Sequence, residues 1–455
     1  MELNGKKILI VGFERTGEAL CRFLPPRGAS VLVTEKKPEA DLAARIAPWR
    51  EKGIRFETGG HRLASFLEAD LIVPSPGVPP LPEILAARER GVPVMSEIEL
   101  ACRFLQGKIV AVTGSNGKST TTTLAHKILK DAGLRSHLAG NIGFPLVSFA
   151  EKSRPDHVYV TEVSSFQLEY TERFKPGIAA FLNISQNHLD WHGTFESYFA
   201  AKKKLFLRLD ASDSAVLNRD DPLVWSVAKE TAARVSAFSR KRRPARGAAV
   251  ADGWVVLRDG KEEHLVRASR IPLPGTHNQE NVMAAALIGR LYEVPAASIR
   301  RSILGFRPLE HRLEDVLVFR GVRYVNDSKA TTVDATLKAI ASFGRPIVLI
   351  LGGRDKGGDF ALLRRAVKSR VRSGVLVGEA AGKIEAALRG VVPMERAGNY
   401  REVVRLAAAA ARPGDVVLLA PAATSWDMFK NFEERGRTFK REVRNLAGRA
   451  GGRRS

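Results

Sequence analysis

The chain has 455 residues, 44% hydrophobic and 27% charged, a globular composition too long for one ordinary domain. No run approaches the ~18 apolar residues of a membrane span, the amino terminus has no apolar signal core, and Cys21 and Cys102 alone cannot form a disulfide framework. The expectation is a cytoplasmic protein with no membrane partner. The formal charge of +23 raises nucleic acid as a partner, but the basic residues are spread along the chain, clustering only at 240–243 and in the last twenty residues. With no RNA-binding signature or basic zipper, the charge reads as solvated surface and attraction for anionic small molecules, and no nucleic acid is expected.

The first α/β block opens with an apolar strand at 7–12, a helix at 17–24 and a strand at 30–34. Short strands at 70–74 and 92–95 follow, and the block ends near Phe104. Apolar runs of this length, alternating with helices, predict a small doubly wound parallel sheet. The turn Gly12-Phe13-Glu14-Arg15-Thr16-Gly17 lacks the second glycine of a dinucleotide fingerprint. Glu14 in its place disfavours close approach of a pyrophosphate. This turn and Ser75-Pro76-Gly77 lie at strand carboxyl ends, where open α/β sheets take ligands. Ordinary turn chemistry explains them equally well.

The second block begins with β-formers at 108–113, a tight loop Gly114-Ser115-Asn116-Gly117, and a helix opened by Lys118-Ser119-Thr120. Such a loop aims backbone N–H groups at a helix N-terminus, where the dipole favours anions. Lys118 can reach terminal phosphates and the Ser119 hydroxyl can hold Mg²⁺, although Val112 replaces the first glycine of the usual P-loop. Strands are expected at 157–161, 178–182 and 214–217, then a β-rich stretch at 253–266 and a helix at 278–292. Glu162, just past a strand beside a phosphate loop, can hold Mg²⁺ or simply face solvent. Asn183-Ile-Ser-Gln-Asn-His188 follows the next strand, which lets His188 point into the same cleft. Lys202-Lys203-Lys204, in a helix at 195–209, read from composition as a solvated basic face, and 240–247 as an exposed basic loop.

The third block starts near Leu309, with strands at 323–326, 346–351, 374–377 and 415–419. Three of them end in polar tips: Asn326-Asp-Ser-Lys-Ala-Thr331, Leu351-Gly-Gly-Arg-Asp-Lys356 and Ala420-Pro-Ala-Ala-Thr-Ser425. Three tips on one sheet edge argue for a single site facing the nucleotide block. Residues 448–455 read as a frayed tail.

Together these motifs resemble the bacterial Mur ligases, ATP-dependent peptide-bond formers of peptidoglycan precursor synthesis. The matching residues are Thr113-Gly-Ser-Asn-Gly-Lys-Ser119, Gly140-Asn-Ile-Gly143, Glu162, Asn183, Asn187-His188, His277-Asn278, His311-Arg312, Asn326-Asp-Ser-Lys329 and Leu351-Gly-Gly353. Ser164-Ser-Phe-Gln-Leu-Glu169 and the run from Ser425 to Gly436 are similar to the branch that adds D-glutamate. The resemblance implies three α/β domains. These are a small Rossmann-like domain at 1–104 for a UDP-linked substrate, a central P-loop ATPase-like domain at 105–308 with a mainly parallel sheet, and a Rossmann-like domain at 309–455 for the amino acid.

It also implies a reaction. The carboxylate of UDP-N-acetylmuramoyl-L-alanine attacks the γ-phosphate of ATP, and the amine of D-glutamate displaces phosphate from the resulting acyl phosphate. Gly114, Ser115, Asn116, Gly117, Lys118, Ser119, Thr120, Asn278, Arg312 and Asp327 would contact ATP. Two Mg²⁺ ions would be held with Ser119, Glu162, His188 and a carbamylated Lys202. Lys118, His188 and Lys202 would carry the catalysis. Arg15, Thr16, Thr34 and Asn141 would contact the UDP substrate, and Lys329, Thr331, Lys356, Ser425 and Phe432 the D-glutamate. Glu14 and the Glu35-Lys36 pair depart from the family pattern at the UDP end. A monomer is expected. Two alternatives are a sister ligase adding L-lysine or meso-diaminopimelate, whose Asp-Asn-Pro-Arg motif is absent, and a basic ATP-binding regulator that binds nucleic acid.

Overall fold

The computed structural model describes residues 1–451 other than His188, Arg345 and Lys356. The chain divides into two compact units, residues 1–269 with 280–304, and residues 270–279 with 305 onward.

The first unit contains two sheets. β1 (Lys7–Val11), β2 (Ser30–Glu35), β3 (Arg55–Thr58) and β4 (Leu71–Pro74) form a parallel sheet ordered β3-β2-β1-β4. The expected strand at 92–95 reduces to one bridge between Ile72 and Val94. Pro93 has no N–H to give a ladder and contributes only its carbonyl, which accepts from Ile72 N at 2.9 Å. Helix α1 (Arg15–Phe23) starts two residues before the reading placed it, because Glu14 already holds extended dihedrals and serves as its N-cap position.

The second sheet comprises β5 (Lys108–Thr113), β6 (Arg135–Gly140), β7 (His157–Glu162), β8 (Ile178–Phe181), β9 (Ser214–Asn218), β10 (Arg234–Ser239), β11 (Arg246–Ala251), β12 (Trp254–Asp259) and β13 (Lys261–Arg267). Their order is β13-β12-β11-β10-β9-β8-β5-β7-β6, parallel from β6 through β11 and antiparallel at β12 and β13. The central strands are buried on both faces, as their unbroken apolar runs require. One apolar cluster runs continuously from Leu3 and Ile8 through Ile98 and Leu100 to Ile109, Phe181 and Leu217, so both sheets of this unit share packing. Helix α2 (Glu97–Cys102) lies at that junction. The buried Glu99 carboxylate accepts backbone N–H groups of Glu172, Arg173 and Phe174 and pairs with Arg103 at 2.7 Å.

The second unit carries β14 (Glu314–Phe319), β15 (Val322–Asn326), β16 (Ile347–Gly352), β17 (Val371–Val377), β18 (Met394–Ala397) and β19 (Val416–Leu419). The order is β14-β15-β19-β16-β17-β18, parallel except at β14. Apolar clusters cover both faces of this sheet. No helix among the described residues is long and apolar enough to cross a membrane.

Candidate active site

At the carboxyl end of β5 the chain must turn sharply into helix α3 (Lys118–Asp131), and glycine makes this possible. Gly114 and Gly117 hold φ of 150° and 83°, which L side chains rarely adopt, and a Cβ at Gly117 would run into the Asn281 amide. The loop is pinned by Asn183, whose Oδ1 accepts from Asn116 N at 2.9 Å and whose Nδ2 donates to Asn116 O at 3.1 Å. The Ser115 hydroxyl lies 3.0 Å from the Tyr198 hydroxyl and also meets the backbone of Ser185. Lys118 Nζ donates to the carbonyls of Gly114 and Ser115 at 2.8 and 3.0 Å, so its ammonium sits over the loop it belongs to. Ser119 and Thr120 are buried in the first turn of α3.

Glu162 ends β7, paired with Val112 of β5, and is only 2% exposed. Asn141 Nδ2 donates to Glu162 Oε1 at 2.9 Å, which joins the 140–143 loop to the carboxylate. Arg15 of α1 donates to the Gly143 carbonyl of that same loop. Lys202, in helix α4 (Phe195–Leu207), is 1% exposed. Its Nζ lies 3.3 Å from the Thr113 hydroxyl and 4.9 Å from the Tyr198 ring centroid. Burial pushes its pKa well below the usual lysine range, and Lys118 lowers it further while Glu162 works in the opposite direction. The solvated basic face expected from composition therefore fails for Lys202, whereas Lys203 pairs at the surface with Glu230 and Lys204 with Glu169.

The first unit thus brings together the phosphate loop, Glu162, Lys202, Asn141 and Arg15. Thr16 is half-buried on α1. Thr34 is wholly buried, its hydroxyl 2.8 Å from His61 Nδ1 and 3.2 Å from the Gly60 carbonyl. Val33, Thr34 and Glu35 are all buried at the end of β2, and Lys36 and Lys37 are exposed beyond it. Glu14, the departure from the fingerprint, pairs with Lys37 and Arg45, while Glu35 accepts from Phe13 N at 2.8 Å. His188 and Lys356 lie outside the described residues.

In the second unit the tips of β15, β16 and β19 converge as expected. Asp327 is buried, its Oδ1 accepting from Leu313 N at 3.3 Å. Burial pushes its pKa up to about 7 against the opposing pull of Arg312. Lys329 Nζ lies 4.4 Å from the Phe432 ring centroid, Thr331 N donates to the Lys329 carbonyl, and Ser425 is buried where its carbonyl caps Phe429 N at 2.8 Å. Asn278, buried in the same unit, donates to the Pro274 carbonyl at 2.6 Å.

Three contributors escaped the sequence reading. Tyr198 meets the phosphate loop at Ser115 and Asn281 accepts from Thr121 of helix α3, and the i, i+3 spacing of Asn278 and Asn281 was the available signal for the latter. Arg435 is 1% exposed and donates to the Ser328, Ala423 and Gly352 carbonyls at 2.8, 3.1 and 3.4 Å. One guanidinium therefore ties three strand tips together, and no sequence spacing announces a buried arginine.

Family models agree with this layout. The chain matches the Mur ligase MurD-like N-terminal domain over residues 6–96, the Mur ligase middle domain over 112–289, and the Mur ligase glutamate ligase domain over 311–423. It is 48% identical to the UDP-N-acetylmuramoylalanine--D-glutamate ligase of Acidobacterium capsulatum, with 97% of this chain and 96% of that protein covered. It is 45% identical to the protein of the same name from Koribacter versatilis, over 98% and 99% of the two chains. Among solved structures, UDP-N-acetylmuramate-alanine ligase MurC of Thermotoga maritima shares the fold at TM-score 0.62 and 18% identity, over 97% of this chain and all of that one.

Proposed function

The chain belongs to the Mur ligase family, and from that premise we propose that it joins D-glutamate to UDP-N-acetylmuramoyl-L-alanine at the expense of ATP. The observation that carries this reading is the meeting of Lys118, Glu162 and Lys202 at the carboxyl edge of one parallel sheet, beside a glycine loop built for phosphate. Attack of a substrate carboxylate on the γ-phosphate brings anions together. Lys118 offsets that repulsion and holds the terminal phosphates while ADP departs, and the loop N–H groups hold them in line. The D-glutamate amine then attacks the acyl carbon of the acyl phosphate, and phosphate leaves from the tetrahedral intermediate as the amide forms.

The donor set suits a hard divalent cation: a buried hydroxyl at Ser119 and a buried carboxylate at Glu162. Mg²⁺ held there would neutralise phosphate charge. A second ion would draw on Lys202, whose depressed pKa favours the neutral amine that carbamylation needs. The reading extends His188 to that second site.

Arg15, Thr16, Thr34 and Asn141 are assigned to the UDP-linked substrate. The loop from Gly114 to Thr120, with Asn278, Arg312 and Asp327, is assigned to ATP. Lys329, Thr331, Lys356, Ser425 and Phe432 are assigned to D-glutamate, whose two carboxylates call for cations and fixed donors. By this division of labour residues 1–104, 105–308 and 309–455 serve the UDP substrate, ATP and the amino acid.

A phosphate-release assay tests the reading. Release is expected only when ATP, UDP-N-acetylmuramoyl-L-alanine and D-glutamate are all present. Release supported instead by L-lysine or meso-diaminopimelate would make the chain a sister ligase.

A further inference from the structure

Arg312 stands in an unusual piece of backbone. The residues on either side, His311 and Leu313, hold φ of 65° and 43°, left-handed values that L side chains with a Cβ rarely take. Such a conformation persists only where its surroundings over-determine it. Here they do. His311 N donates to Glu314 Oε2 at 2.9 Å, Lys329 N donates to the His311 carbonyl at 3.2 Å, and Asn326 Nδ2 reaches His311 Nδ1 and Glu314 Oε2 at 2.9 and 3.0 Å. Because that amide nitrogen is a donor, Nδ1 of the buried imidazole accepts, and the ring proton sits on Nε2, which lies 3.5 Å from Glu310 Oε1.

The remaining support comes from helix α5 (Phe432–Gly451), about 120 residues further along the chain. Phe432, Gly436 and Lys440 recur every four residues and so share a face. The Phe432 ring meets the imidazole edge-on at 6.1 Å between centroids. Gly436 has no side chain because a Cβ there would collide with His311 Nδ1. One turn later Lys440, 8% exposed, donates to Glu310 Oε1 at 2.6 Å and Glu314 Oε1 at 2.8 Å. Its ammonium occupies the place a cation would take between two carboxylates that flank the His311-Arg312 pair.

We propose that Lys440 is a positioning residue for ATP use: by clamping Glu310 and Glu314 it holds the strained 310–314 loop in the shape that presents Arg312. This rests on the reading that Arg312 contacts ATP. Lys440 touches no substrate. Without it, two carboxylates repel across the loop and the left-handed residues relax.

The test compares Lys440→Met, which keeps length but loses charge, with Lys440→Arg and with Arg312→Ala, in full-length enzyme. For Lys440→Met, KM for ATP rises about tenfold while KM for D-glutamate and for the UDP substrate stays within about twofold, and Lys440→Arg recovers most of the loss. A folded Lys440→Met enzyme with unchanged KM for ATP overturns the proposal. So does an equal rise in all three constants, which marks plain loss of structure. If Lys440→Met does not fold, Glu310→Gln serves instead: removing one exposed arm of the clamp is expected to raise KM for ATP alone by a smaller factor, and no change overturns the proposal. Arg312→Ala separates the two ideas. If it leaves KM for ATP unchanged, the assignment of Arg312 fails; if it raises that KM while Lys440→Met does not, only the clamp fails.

Discussion

A lysine that is 1% exposed needs a reason, because an ammonium is costly to bury without partners. Lys202 has one hydroxyl at 3.3 Å and a tyrosine face, and Lys118 is a second positive charge close enough to act on it. Burial and the Lys118 charge favour the neutral amine, against the opposing pull of Glu162, and the hydroxyl and the ring face do not outweigh them. That amine can attack carbon dioxide, forming an N–C bond and releasing a proton, and the product is a carboxylate-like anion near Lys118. Arginine cannot form this group. Lys202→Arg is therefore expected to lower kcat by at least ~100-fold, with no recovery in high bicarbonate. Carbon-13 bicarbonate gives the independent check: a carbamate resonance in the parent protein that vanishes in the variant. Near-normal turnover in Lys202→Arg removes the carbamate from the account. This residue also marks the limit of reading by composition, since three consecutive lysines differ only in which face of α4 each occupies.

At the scale of elements, the parallel strands were legible because burial on both faces demands apolar runs, as in β1, β5, β8, β16 and β19. Edge strands β6 and β14 were not. β6, with the sequence RSHLAG, and β14, with a half-exposed alternation and a register shift between Asp315 and Leu317, carry too few buried positions to stand out. The site followed the same rule. Loops at strand ends announced Lys118, Glu162 and Asp327, whereas Arg435 and Lys440 act from a helix whose sequence looks like an ordinary charged surface. Helix α2 shows the same blindness. Its glutamates Glu97 and Glu99 are both buried, and Glu97 accepts from Val147 N at 2.5 Å. Burial raises the Glu97 carboxyl from the ordinary 4.5 to about 7, against the pull of the Val147 and Leu146 N–H groups. The folded state thus prefers the protonated acid. Its contribution to stability is complete below pH 4.5 and is lost as pH rises through 7. Glu97→Gln is expected to remove that slope, gaining up to about 3 kcal/mol on the parent between pH 5 and pH 8 in urea denaturation. Parallel pH profiles for the two proteins would show that Glu97 is ionised throughout.

At the scale of the molecule, the charge of +23 is what the fold leaves unexplained. Described ion pairs such as Arg50–Glu39, Lys127–Asp131 and Arg396–Glu385 are largely exposed and contribute little to stability. The excess is better matched to the ligands of the proposed reaction, since ATP, a UDP-linked carboxylate and D-glutamate are all anions. A positive field raises their encounter rates without touching the chemical step. The Debye length contracts from about 10 Å at 0.1 M salt to about 3 Å at 1 M, so kcat/KM for ATP and for the UDP substrate should fall several-fold across that range while kcat changes by less than about twofold. The same field attracts nucleic acid without specificity, and such binding should disappear over the same interval. Kinetics in potassium chloride, run with and without a large excess of RNA, separate the two consequences. Flat kcat/KM together with RNA binding that survives high salt would mean that the basic surface serves a polymer rather than the substrates.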